Sequence, residues 1–397
     1  PVIAQEEAVG HAVRATYMYA GMADVAAMMK DPDYLEAVDK LWENVVGKKL
    51  YITGGFGSRH EGEVFGEDYE LPNMTSYNET CAAIANIYWN HRMFLLHGDA
   101  KYIDVLERTL YNGMLCGVSL TGDSFFYPNC MASDGKFKFN HGALTRQPWF
   151  DCACCPSNVA RFLPSVPNYI YAQYNDSLYI NLFVASKARI RIEETAIDLE
   201  QQCDYPWDGK VRILLNPETG KRFTVRLRIP GWVLDKPLPG DLYHFLDENL
   251  EAGTLKVNGE AIDFEIEKGF AGISRSWSKG DVIEFDLPMP IRRVSAHEQV
   301  EDNRNKVALV RGPVVYCAEW VDNGGKALDL VLPDNTELIS EHRKDLLAGV
   351  TVVKGCALNQ SGEKRELVAI PYYAWSHRGP GEMAVWLSRN PDLSGIR

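Results

Sequence analysis

No stretch of this sequence reaches the roughly 18 consecutive apolar residues that a membrane-spanning helix needs, so no membrane partner is expected. Cations are scarce relative to anions: 41 Lys and Arg stand against 54 Asp and Glu, a formal net charge of −13. Without a basic patch to attract phosphates, nucleic acid is not expected as a partner either. Cysteine is too sparse for a disulfide framework. The nine present are an odd number in 397 residues and lack small-domain spacing, which leaves thiols free for other uses. An initiating Met and a leader are both missing, and residues 1–10 run straight into a helical pattern. This start predicts a piece of a longer protein and leaves the compartment open, cytoplasmic or periplasmic.

Apolar residues, by contrast, are plentiful. At 46% of 397 residues they suffice for a large core and more than one domain. Aromatics make up 11%, with nine Trp and nineteen Tyr, which suits a carbohydrate-binding cleft as well as an ordinary large core.

Two apolar periods divide the chain. Helical spacing occurs in residues 11–29 (Val13, Tyr17, Met18, Ala20, Met22) and 32–46 (Tyr34, Ala37, Val38, Leu41, Val45). It recurs in 77–97, 100–118 and 156–172. The links 47–76 and 119–155 are long and rich in Gly, Asn and aromatics. Loops of that length inside a compact domain usually carry function. From about residue 175 the pattern turns β-like, in 178–183, 211–215, 223–229, 282–287 and 306–315. Turn dipeptides such as Asn216-Pro217, Asn258-Gly259 and Lys279-Gly280 separate these runs. The expected fold class is α+β and multidomain: helices over residues 1–174, then an antiparallel β-sandwich region over 175–397, read as two sandwiches.

The chemistry gathers at helix starts. Glu79 and Cys81 open the third helix, and Cys154-Cys155 stand before Pro156 at the start of the fifth. Three thiols and one carboxylate make a complete tetrahedral zinc set. In an up-and-down array the odd-numbered helices begin at one end, so His11, Glu79, Cys81, Cys154 and Cys155 converge by topology. Each has a plainer reading. Ser76 and Glu79 fit a capping box, with Ser76 as N-cap and Glu79 at N3. Cys81 fits a small buried hydrophobe, and Cys154-Cys155 fit a vicinal disulfide. Pro156 suits the first helical position, which would make Cys155 the N-cap and set the thiols against a helix N-terminus that favours thiolate. Cys152 is a substitute ligand, and Cys116, Cys130, Cys203, Cys317 and Cys356 are expected to pack. The link 47–76, glycine-rich over 54–66, carries Glu61, Glu63, Glu67, Asp68 and Glu70, one of which, beside a metal-thiolate centre, can serve as proton donor.

Several motifs together resemble glycoside hydrolase family 127, whose best-known members are β-L-arabinofuranosidases. They are Tyr51-Ile52-Thr53-Gly54-Gly55, Gly62-Glu63-Val64-Phe65, Tyr69-Glu70-Leu71-Pro72-Asn73, Glu79-Thr80-Cys81-Ala82 and Cys154-Cys155-Pro156-Ser157-Asn158. Near the C-terminus, Ile370-Pro371-Tyr372-Tyr373-Ala374-Trp375 and Arg378-Gly379-Pro380-Gly381-Glu382-Met383 are similar to it too. The resemblance implies an (α/α)6 barrel followed by β-sandwich domains. Only about five of the twelve barrel helices are present, so the helical part reads as the C-terminal portion of that barrel. It implies Zn2+ on Glu79, Cys81, Cys154 and Cys155, a retaining mechanism with Cys154 as nucleophile and Glu63 as acid/base, and sugar contacts from His11 and Tyr127. The implied substrate is a β-linked plant-type glycan that loses L-arabinofuranose or a related sugar. A homo-oligomer or a second chain would cover the incomplete barrel. Two other readings stay open: a carbohydrate-binding or scaffold protein with a purely structural zinc, and a hydrolase using metal-bound water, against which four protein ligands argue.

Overall fold

Among the residues that the computed structural model describes, 2–247 and 253–389, five α-helices form. They are α1 (Ala12–Met29), α2 (Pro32–Asn44), α3 (Thr80–His97), α4 (Ala100–Arg108) and α5 (Cys154–Phe162). Pro1, which opens the N-terminal run, lies outside the described residues. Asp31 caps α2 by accepting from the Asp33 and Tyr34 N–H groups at 3.0 and 3.3 Å, with Pro32 at the first helical position. Asp99 caps α4 through the Lys101 N–H at 2.9 Å. Gly98 ends α3 in the left-handed region, φ 65°, and returns its N–H to the Phe94 carbonyl at 2.7 Å.

Three helices are shorter than their apolar stripes suggest. α2 and α4 pass into wider π-type turns at Val45–Lys49 and Thr109–Met114. After Phe162 the chain tightens into a 3-10 stretch, Leu163–Tyr169, because Pro164 and Pro167 lack the N–H that an α-helix needs. Residues 171–172, expected to be helical, already belong to the strand Tyr171–Tyr174.

α3 is the central helix, packed against α1, α4 and α5. Its sequence is apolar around most of its circumference, and Ile84, Ile87, Trp89, Met93 and Phe94 are all buried. α1 is different. Its inner stripe, including Ala15, Tyr19 and Met22, is buried, while Met28 and Met29 remain 82% and 72% exposed, and Tyr17 and Met18, about three turns earlier, are exposed too.

The link 47–76 is packed rather than loose. Lys49 is buried and donates to Glu7 Oε1 at 2.6 Å, the Ala8 carbonyl at 3.1 Å and the Gly66 carbonyl at 2.9 Å. Gly54, at φ 80°, lies so close to α4 that a Cβ there would fall 2.3 Å from Thr109 Oγ1.

Most strands lie beyond Tyr171, in three sheets. A five-stranded sheet (Ile266–Glu267, Phe270–Trp277, Lys221–Arg228, Ser177–Ile180, Tyr171–Tyr174) shares one core with a six-stranded sheet. Leu178, Val225 and Trp277 from the first meet Ile197, Ile213 and Ile283 from the second. Pairing is antiparallel except between Ser177–Ile180 and Lys221–Arg228, which run parallel. The third sheet has ten strands. The run 306–315 contributes two of them, Lys306–Arg311 and Val314–Glu319, because Gly312-Pro313 reverses the chain.

Two buried arginines join the units. Arg228, on the five-stranded sheet, bonds Asp104 Oδ1 of α4 at 2.7 Å and also Glu107. Arg146, in the link between α4 and α5, donates to the carbonyls of Trp375 at 2.7 Å, Cys116 at 2.9 Å and Tyr373 at 3.1 Å. Its guanidinium lies 4.2 Å from the Phe126 ring, on which Trp375 also stacks. The same link supplies a strand, Ala132–Asp134, paired antiparallel with Glu382–Ala384 of the ten-stranded sheet.

Candidate metal centre and active site

His11 is the N-cap residue of α1, Glu79 that of α3, and Cys154 and Cys155 lie in the first turn of α5. The ligand atoms of Glu79, Cys81, Cys154 and Cys155 all fall within 4.8 Å of one another. Cys154 Sγ and Cys155 Sγ lie 3.4 and 3.5 Å from Glu79 Oε1. The two sulfurs are 3.9 Å apart and both thiols are free, which rules out the vicinal disulfide. Tyr127 joins the cluster with its hydroxyl 2.9 Å from Cys154 Sγ.

Both expected caps change. Ser76 is not the N-cap of α3; its hydroxyl bonds the Asn73 carbonyl at 3.2 Å. The helix begins three residues later because the preceding segment is tied elsewhere. The Tyr77 and Asn78 N–H groups donate to the Gly57 carbonyl, and the Thr80 N–H is taken by the Tyr127 carbonyl at 3.0 Å. Glu79 makes no cap bond with its side chain, so its carboxylate turns to the thiols. In α5 the N-cap is Ala153 rather than Cys155, which puts both cysteines inside the helix start and Pro156 at the third position. Cys152 is exposed and outside the cluster. Of the cysteines expected to pack, Cys116, Cys130 and Cys317 are buried, Cys203 is half-buried and Cys356 is exposed.

Of the five acidic residues on the link 47–76, Glu63 is the one that reaches the thiol cluster. Glu67 and Glu70 pair with Arg59, and Asp68 pairs with Lys48. Gly62 and Glu63 both adopt left-handed backbone, φ 75° and 53°, which turns the Glu63 side chain inward. Its Oε1 accepts from the Tyr77 hydroxyl at 2.8 Å, and Oε2 lies 2.9 Å from His11 Nε2. Glu63, His11 and Glu79 form a second group with ligand atoms within 4.8 Å, so Glu79 belongs to both groups. All seven residues singled out in the sequence are therefore brought together.

The electrostatics suit a cation. Burial, then the nearby Cys154, pushes the Glu79 carboxyl well above the usual carboxylate range. Burial pushes Cys155 up, and hydrogen bonding with Cys154 pushes Cys81 up. Cys154 moves the other way, because the Cys155 and Cys81 thiols, and then the Tyr127 hydroxyl, stabilise its thiolate. Four acids this close cannot all ionise without a counter-charge. Glu79 Oε2 is buried with no hydrogen-bond partner. A cluster of three sulfurs and one such oxygen can hold a metal ion.

Three residues at the site carried no signal of their own in the sequence. Tyr77 sits inside the capping-box motif, His141 in the long link after α4, and His60 in the glycine-rich loop. His141 Nε2 lies 3.3 Å from the Tyr77 hydroxyl, and its ring packs on Tyr127 at 4.4 Å. His60 meets the Tyr77 ring edge-on at 4.8 Å. The length of the links was the sole hint.

A helical unit bearing this cluster, followed by antiparallel sheets, matches the domain series of one enzyme family. Residues 1–168 match the family model described as Beta-L-arabinofuranosidase, GH127 catalytic domain. Residues 177–289 match the GH127 middle domain and 291–388 the glycoside hydrolase family 127 C-terminal domain. The chain belongs to glycoside hydrolase family 127. It is 34% identical to a protein of Bifidobacterium longum subsp. longum described as a non-reducing end beta-L-arabinofuranosidase, over 98% of this chain and 61% of that one. Among solved structures it resembles a GH127 beta-arabinofuranosidase with a TM-score of 0.93 and 50% identity, over 98% of this chain and 62% of that one. A GH127 beta-L-arabinofuranosidase from Geobacillus stearothermophilus T6 follows with a TM-score of 0.88 and 44% identity, again over 98% and 62%. The chain thus spans about three fifths of the length of these relatives.

Proposed function

We propose that this chain carries the reaction centre of a retaining exo-glycosidase that releases L-arabinofuranose, or a related sugar, from β-linked plant-type glycans. The observation that carries the reading is the pairing of two chemistries in one pocket. Cys154 Sγ stands among Cys155, Glu79 and Tyr127, and Glu63 enters the same pocket on His11 and Tyr77. Zn2+ fits the donor set of Glu79, Cys81, Cys154 and Cys155, and when bound it supplies the positive charge that keeps these groups ionised. Glu63 gives its proton to the glycosidic oxygen as the Cys154 thiolate attacks the anomeric carbon. The products of this step are the leaving alcohol and a thioglycosyl enzyme. Glu63, now a carboxylate, takes a proton from water as that water displaces the Cys154 sulfur, and the sugar leaves with its configuration retained. His11 and Tyr127 contact the sugar.

The architecture that goes with this reading is the C-terminal part of an (α/α)6 barrel over residues 1–174 and two β-sandwiches over 175–397. The exposed apolar residues Tyr17, Met18, Met28 and Met29 on α1 support an open flank, to be covered by further barrel helices or by a second chain. No helix among the described residues is long and apolar enough to cross a membrane.

The test uses full-length, metal-loaded protein. Metal analysis is expected to give about one zinc per chain. Cys154→Ala is expected to abolish turnover, and a haloacetamide-type arabinofuranose analogue to label Cys154. A label on Cys155, or on Glu63 alone, overturns the nucleophile assignment. Full activity in Cys154→Ala with zinc retained points to a structural metal instead.

A further inference from the structure

The acid/base role of Glu63 rests on the proposed function above, and the pocket shows how that carboxyl is held. We infer that Tyr77 is a positioning residue that fixes which oxygen of Glu63 delivers the proton, and that His141 keeps the Tyr77 hydroxyl aimed at Glu63.

Three separate segments meet here: the turn at Glu61–Glu63, the extended residues before α3, and the link between α4 and α5. Tyr77 is 3% exposed, its ring held between His60 at 4.8 Å and Tyr127 at 6.1 Å. Its hydroxyl has one proton and two neighbours, Glu63 Oε1 at 2.8 Å and His141 Nε2 at 3.3 Å. It can donate to only one of them. The carboxyl oxygen is the nearer acceptor and, when ionised, the stronger one, so the proton points at Glu63. His141 Nε2 is then left to donate to the phenol oxygen, which prevents the hydroxyl from turning away.

The consequence falls on Glu63. With Oε1 committed as an acceptor, the carboxyl proton resides on Oε2. That oxygen lies 2.9 Å from His11 Nε2, on the side of the proposed sugar contact. Tyr77 also remains a donor to Oε1 after the proton has gone, so one arrangement of heavy atoms serves both the acid and the base forms of Glu63. A group that must alternate between those forms within each turnover gains from such a fixed donor.

The test compares two substrates in full-length, metal-loaded protein: a nitrophenyl β-L-arabinofuranoside, whose leaving group departs without protonation, and an arabinofuranosyl disaccharide, whose leaving group needs it. Tyr77→Phe keeps the ring and removes the donor. It is expected to lower kcat/KM for the disaccharide by about tenfold or more while changing the nitrophenyl substrate by less than about threefold, with bound metal unchanged. His141 is exposed, so His141→Ala should fold normally. It is expected to show the same split at roughly twofold or more, and to add little in the double variant. Equal losses on both substrates, or no loss on either, overturn the inference. So do losses that multiply fully in the double variant. Glu63→Gln separates the two levels. If it spares the disaccharide, the proposed function itself fails. If it shows the split and neither Tyr77→Phe nor His141→Ala does, only the present inference fails.

Discussion

Replacing Arg228 by Met should unsettle the joint between the helical unit and the five-stranded sheet. The Arg228 side chain is fully buried and Glu107, its partner, is 1% exposed. Met preserves much of the stem volume and removes the charge. Asp104, the second partner, tolerates the loss. Burial already pushes its carboxyl up to about 6 with Arg228 opposing that shift, so without Arg228 it takes up a proton near neutral pH. Glu107 is left with the Tyr205 hydroxyl at 2.7 Å and Trp232 Nε1 at 3.4 Å, and without its ion-pair partner. Breaking a buried ion pair from one side costs about 3–5 kcal/mol. The expected fall in melting temperature is roughly 4–6 °C for a chain of this length, read by calorimetry, with a matching fall in the urea midpoint of Trp fluorescence. Arg228→Met combined with Glu107→Leu also removes the orphaned charge and should recover at least about half of the loss, since an apolar replacement of a whole buried pair is often neutral. A loss below about 1 kcal/mol in the single variant, or a double variant no better than the single, refutes the reasoning.

Other perturbations probe other parts of the molecule. Arg146→Met removes four hydrogen bonds to the carbonyls of Cys116, Tyr373 and Trp375 and should cost about 2–3 kcal/mol. It should also raise KM in full-length protein, because Phe126 beneath the guanidinium adjoins Tyr127; an unchanged KM would show that the loop is held by other means. Cys155→Ala should lose bound metal by elemental analysis, and full metal retention would remove Cys155 from the ligand set. Burial, with Arg92 nearby, lowers His91 from 6.5 to about 4. The folded state therefore resists a proton that the unfolded chain accepts. Stability from this group is fully present above pH 6.5 and falls as the pH drops from 6.5 towards 4, by up to about 3 kcal/mol before the partly exposed ring's solvation trims it. His91→Phe should flatten the acid side of a stability–pH curve, and an unchanged slope would clear His91 of that role.

The thiols and Glu79 were legible because they sit at helix starts, where topology alone brings them to one end. The strands were legible from alternation; Val282 to Leu287, for instance, differs by a single residue from Asp281–Asp286. The start of α3 was not. Ser76 and Glu79 spell a capping box, yet the Tyr127 carbonyl, 47 residues further on, takes the Thr80 N–H and frees Glu79 for the pocket. Tertiary contact outcompetes a local motif there. Tyr77 and His141 were illegible for a related reason: they lie 64 positions apart, and neither carries meaning until the link after α4 folds back. The parallel pairing of Ser177–Ile180 with Lys221–Arg228 was hidden because alternation marks a strand without marking its neighbour.

The strand Ala132–Asp134 has a consequence in time. Ser133 Oγ bonds the Gly381 carbonyl at 3.0 Å across a separation of 248 residues. At about 5–20 residues per second, a ribosome needs roughly 12–50 s to make that intervening stretch. During that interval the segment bearing Tyr127 and His141 lacks its partner strand, and Trp375 has not yet arrived to close over Phe126. Cys154 and Cys155 are made well before the sheets that follow them. The residues of the site, all made within the first 155 positions, therefore wait for the last sheet before the link that carries Tyr127 and His141 is pinned.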